Sequence, residues 1–171
     1  MKNNLINIAY EQCFPAFLNS IENSFPANSS PYVATIEELQ LTFDSNDIYR
    51  RELIHSLKKL IKKINKFIGS PVAGLVGGSF LDKNILKPDD IDIVVFYTRK
   101  VSISKIKEGK ISEIITHAKM NNIDLSMCPF DYNPIWSLKI ACFYTQLYMC
   151  DKTTTENRKG SILIDFIEKT K

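Results

Sequence analysis

The run Ile91-Asp92-Ile93-Val94-Val95-Phe96-Tyr97 most narrows what this chain can fold into. Six of its seven residues are β-branched or aromatic and read as a strand, with too few polar positions for one face to meet water. A strand of that kind needs a sheet with covered faces, and the flanking sequence offers helices to cover it. VAGLV at 72–76 is a second short strand, ending in Gly77 and Gly78 and so feeding a tight turn. IDLSM at 123–127 and SILIDFI at 161–167 complete the expected strands.

The longest helix is expected from about Asp47 to Phe67. Tyr49, Leu53, Leu57, Leu60, Ile61, Ile64 and Phe67 recur every three or four positions and form one buried stripe. Lys58, Lys62 and Lys66 make one row on its far side, with Lys59 and Lys63 in the next. Such rows are usually solvated, but they also suit a phosphate backbone. Ahead of it, Thr35-Ile36-Glu37-Glu38 is a capping-box start for a compact helix, and the chain turns at 44–46. Residues 5–20 read as a short helix and 24–34 as an extended stretch, so 1–45 is an N-terminal arm on a single domain spanning 1–171.

Residues 104–120 form a further helix, with Ile111, Ile114, Ile115 and Ala118 on one face. Asn133 caps another that begins at Pro134 and turns Trp136, Ile140, Phe143, Tyr144 and Leu147 to the core. A polar loop, 151–160, leads to the last strand. The sum is a small α/β (α+β) domain with a mixed sheet.

A chain of 171 residues, 44% apolar and 24% charged, sustains one folded core. No apolar run approaches the ~20 residues of a membrane span, and MKNNLINIAYEQ is not a secretory signal. A cytoplasmic protein without a membrane partner is expected. Cys13, Cys128, Cys142 and Cys150 are scattered, and His55 and His117 lie far apart, so zinc ligation is not expected and the thiols are small packing groups. The net charge of +3 admits an anionic substrate.

The chemistry is concentrated in LVGGSFLDKNILKPDDIDIVVFY. Side chains alternate along a strand, so Asp90 and Asp92 leave one face while Ile91 and Ile93 leave the other. Carboxylates about 7 Å apart on one face call for a cation, and magnesium takes carboxylates together with substrate phosphates. Gly77 and Gly78 would let a phosphate approach the backbone, and the Ser79 hydroxyl adds a donor. A phosphate cradle with metal-binding acids is the minimum for phosphoryl or nucleotidyl transfer.

Gly78-Ser79, ten residues, then Asp90-x-Asp92 resembles the signature of the DNA polymerase β-like nucleotidyltransferase superfamily, above all its minimal bacterial members. Ile123-Asp124-Leu125 resembles the segment that carries that family's third acid, and the match covers roughly residues 70–128. The wider chain, from TIEELQ to KGSILIDF, is similar to a poorly characterised bacterial family within that superfamily. The resemblance implies a palm-like mixed sheet flanked by helices. Asp90 and Asp92 would hold two magnesium ions with the triphosphate of a nucleoside triphosphate such as ATP. Asp124 would complete the second ion's shell and help generate the attacking alkoxide, with pyrophosphate leaving.

Many relatives carry an arginine soon after the serine; here FLDKN follows, and Lys83 is the cation that would stand in. The residues from 125 to 171 are not expected to form a helical domain of the sort larger relatives use for base and acceptor. The acceptor would be a hydroxyl on a protein, an RNA end or a small molecule, with modification of a partner protein, as in toxin–antitoxin pairs, an attractive case. Asp131 and Asp165 rival Asp124 as third acid. The alternative function is a non-catalytic module of the same fold that binds a protein or nucleic acid.

Overall fold

A computed structural model describes residues 4–18, 26–43, 47–100, 108–150 and 159–167. The turn expected at 44–46, the first four positions of the helix expected at 104–120, and most of the loop 151–160 lie outside these residues. In chain order the elements are α1 (Asn4–Glu11), β1 (Tyr32–Thr35), α2 (Ile36–Phe43), α3 (Ile48–Phe67) and β2 (Gly69–Gly77). A single 3-10 turn, Ser79–Leu81, leads on to β3 (Ile91–Arg99), α4 (Glu108–Met120), β4 (Ile123–Pro129), α5 (Pro134–Met149) and β5 (Ile162–Asp165).

The five strands form one mixed sheet in the order β1-β5-β2-β3-β4. β1 runs parallel to β5 and β3 parallel to β4, while β2 is antiparallel to both of its neighbours. β3 is buried on both faces, as its composition requires. Ile91, Ile93, Val95 and Tyr97 join a large core with residues of α1 to α4; Val94 and Phe96 meet Leu75, Cys128 and Tyr148 on the other side. α5 is the helix that supplies that second face.

Local signals explain most helix starts. Glu38 N–H donates to Thr35 Oγ1 while Thr35 N–H donates to Glu38 Oε2 at 2.9 Å, a reciprocal capping box. Asp47 accepts from the Arg50 N–H and Asn133 from the Trp136 N–H, with Pro134 as the first residue of α5. The α3 stripe of Leu53, Leu57, Leu60 and Ile64 is fully enclosed, and each side chain contributes about 1.5–3 kcal/mol by leaving water. No disulfide joins any of the four cysteines. Among the described residues no helix is long and apolar enough to cross a membrane.

Two expectations are corrected. The N-terminal stretch is no arm: Ile6, Ala9, Phe14 and Tyr32 are core residues, and 32–35 form a strand of the sheet. Four residues were too few for a periodic pattern to show, and their pairing partner lies at the other end of the sequence. α5 is also turned differently. Ser137 and Tyr148 are buried, whereas Trp136, Phe143 and Leu147 are 52%, 58% and 49% exposed. A helix that is apolar all round has no stripe to announce its inner face.

Candidate active site

β3 enters the site at its N-terminal end. Ile91 and Ile93 point into the helical core, so Asp92 shares the opposite face with Val94 and Phe96. Asp90, one residue ahead of the strand, has the same parity. β4 lies beside β3 in parallel register with Asp124 directly opposite Asp92. Paired residues on neighbouring strands face the same way, so the two carboxylates stand on adjacent strands about 4.8 Å apart at the backbone.

On the other side of β3, Gly77 pairs with Asp92. Gly78 follows with φ at +75°, a conformation side chains rarely adopt. A methyl group there would overlap Asp92 Oδ2. Asp92 therefore lies against the Gly78 backbone, and Ser79 begins the 3-10 turn at that point. Gly77 has a different reason to be glycine: a methyl there would run into Cβ and Cγ of Tyr148. Its open side is filled by α5 rather than left to a phosphate.

Tyr148 is a component that sequence reasoning missed. Burial pushes its hydroxyl far above the ordinary phenol range, and Asp92, Tyr144, Asp124 and Asp90 push it further. It keeps its proton, and can donate beside the acids. One turn earlier, the Tyr144 hydroxyl lies 2.7 Å from Ser126 Oγ on β4, which ties α5 to the strand that bears Asp124. A tyrosine pair four residues apart in a helix with a single charge, Lys139, was the available signal.

Arg50 is the second. The loop between Ser79 and Asp90 reads as polar, yet Phe80 and Leu81 are buried and Arg50 beneath them is enclosed. Its guanidinium donates to the carbonyls of Phe80 (2.8 Å), Asp82 (2.6 Å) and Ile85 (2.7 Å), pairs with Asp47, and lies beside the contacting rings of Phe43 and Phe80. This fixes the connection that joins the Gly-Ser turn to the acids. The signal was an arginine in the register of the apolar stripe, three residues before Leu53.

The remaining candidates lie elsewhere. Lys83 Nζ binds the Glu11 carboxylate at 3.0 Å and the Glu11 carbonyl, and is committed to α1. Asp131 accepts from Arg99 at the far end of β3. Asp165 pairs with Ala73, which faces Phe96, four residues along β3 from Asp92. Of the three rival acids, Asp124 is the one in register with Asp92. A cleft of about 200 Å³ opens beside Gly78, lined also by Gln12, Cys13, Asp82, Asn84 and Lys159. Lys159 Nζ stands 4.0 Å from Asp82 there.

Among the described residues no three His, Cys, Asp or Glu side chains form a ready-made metal cage. The donor set still fits magnesium, because this ion accepts one or two carboxylates and takes its other oxygens from phosphates and water. Asp92 and Asp124, with Asp90 one residue ahead of β3, are the groups that would hold it.

No curated protein and no solved structure matches the chain. The sequence model described as Family of unknown function (DUF6932) matches residues 15–165, and the chain belongs to that family.

Proposed function

We propose that this member of a family of unknown function is a metal-dependent nucleotidyltransferase that moves a nucleoside monophosphate from a nucleoside triphosphate to an acceptor hydroxyl. The observation that carries this reading is Asp124 opposite Asp92 on adjacent strands, with the Asp92 carboxylate against the Gly78 backbone. Magnesium bound with the triphosphate would neutralise phosphate charge and favour the alkoxide of the acceptor. Asp90, Asp92 and Asp124 would supply its protein oxygens, Gly78 would admit a phosphate to the backbone, and the Ser79 hydroxyl would donate to it. The acceptor oxygen bonds to the α-phosphorus, the bond to the β-phosphate oxygen breaks, and pyrophosphate departs. The acceptor is a hydroxyl on a protein, an RNA end or a small molecule.

The purified protein incubated with magnesium and each triphosphate, with and without cell extract, tests the proposal. Label in the α-phosphate should pass to an acceptor, label in the γ-phosphate should not, and Asp92→Asn should lose the transfer. A protein that neither binds nor transfers any nucleotide is the outcome expected of the second reading, a non-catalytic binding module. That reading draws on the apolar outer face of α5.

A further inference from the structure

α3 and α5 differ in what they show to solvent. α3 buries its leucine stripe and turns lysines outward. α5, PIWSLKIACFYTQLYM, carries one charge, Lys139. Its inner face is taken up by Ser137 and Tyr148, with Ile140, Ala141 and Tyr144 packed alongside. Its outer face leaves Ile135 75% and Leu138 60% exposed, in one patch with Trp136, Phe143 and Leu147. Helices apolar on every side belong in interiors, and contiguous exposed apolar patches mark interaction sites.

We propose that this face joins two copies of the chain into a two-fold dimer, α5 against α5. Area is the first argument. At roughly 150–250 Å² for a large side chain, these five residues expose about 600 Å² per copy. Two copies would bury about 1,200 Å², the lower end for a specific interface.

Charge is the second argument. Lys139 Nζ rests 5.1 Å from the centre of the Trp136 ring, so the one cation on the face is part of the patch. The face carries no acid and no other cation for a charged partner to read, and with Lys139 drawn over its own Trp136 ring the rest of the surface is apolar and complementary to itself, as a two-fold interface must be. Antiparallel pairing about the middle of α5 sets Trp136 of one copy near Leu147 of the other. It also brings the two exposed Cys142 thiols toward the axis. The dimer is independent of the nucleotidyl-transfer reading.

Sedimentation of the full chain across the micromolar range tests this. The wild type should sediment as a dimer, and a short bis-maleimide should cross-link it but not Cys142→Ser. Phe143→Glu and Leu138→Glu, on the two flanks of the face, should each give monomers with unchanged helical circular dichroism. Leu86→Glu, at an exposed apolar side chain on a loop, should remain dimeric. A monomeric wild type, or a dimer that survives both α5 substitutions, would overturn the proposal.

Discussion

Asp124 and Asp131 sit on and just beyond the same strand, and their neighbours give them opposite roles. Asp124 faces Asp92 at the start of β4, while Asp131 holds the Arg99 backbone and guanidinium past its end. Under the proposed reaction, Asp124→Asn should lower nucleotidyl transfer at least about 100-fold, the scale of losing one electrostatic group at a reacting centre. Asp131→Asn should leave the rate unchanged and cost at most about 1 kcal/mol, as exposed ion pairs do. Steady-state transfer assays and urea titrations of both variants separate the two roles. Gly77 and Tyr148 form the other residue-scale pair. Gly77→Ala should destabilise the protein by pushing Tyr148 off the sheet, and much less so when Tyr148 is already alanine. A double-mutant cycle should give a coupling of about 1 kcal/mol or more; additive effects would contradict the packing described. The side-chain alternation of IDIVV was enough to set Asp92 on the face opposite Ile91 and Ile93. What fills Gly77 was not legible, because a glycine reads the same whether ligand or side chain occupies its open side.

At the scale of elements, α3 does more than cover the sheet. Its stripe was legible because the apolar residues repeat at helical spacing, and Leu53, Leu57, Leu60 and Ile64 are indeed enclosed. Arg50 continues the same line, and there the pattern misleads, since a charge on a buried stripe is ordinarily a fault. Here three loop carbonyls and Asp47 satisfy it. Arg50→Met should cost about 3–5 kcal/mol by leaving Asp47 and those carbonyls without their donor. Lysine should not rescue it, since a point charge cannot serve several carbonyls in a fork. Urea midpoints report the cost, and faster proteolysis within 80–89 should report the loosened loop. α5 shows the opposite limit: composition identified the helix and its cap, but an all-round apolar surface left its orientation to tertiary packing.

For the molecule as a whole, buried phenols set an alkaline limit. Burial pushes Tyr32, whose hydroxyl donates to the Pro15 carbonyl at 2.7 Å, up to about 12, and it raises Tyr97 and Tyr148 as well. In the unfolded chain these phenols ionise near pH 10, about their ordinary value. The unfolded state thus sheds protons that the folded state retains. Stability is complete below about pH 10 and falls as pH rises from there toward about 12. Melting temperatures followed from pH 8 upward should drop more steeply for the wild type than for Tyr32→Phe. The five-stranded mixed sheet also has a temporal consequence. β5 lies between β1 and β2, so the final strand must slot in beside one made about 130 residues earlier. At 5–20 residues per second, β1 waits on the order of ten seconds for the neighbour it pairs with. Until Ile162–Asp165 arrive, β1 and the outer edge of β2 are unpaired templates on a nascent chain, open to any other strand. The emergence of Ile162–Asp165, rather than early collapse, is when this sheet becomes continuous.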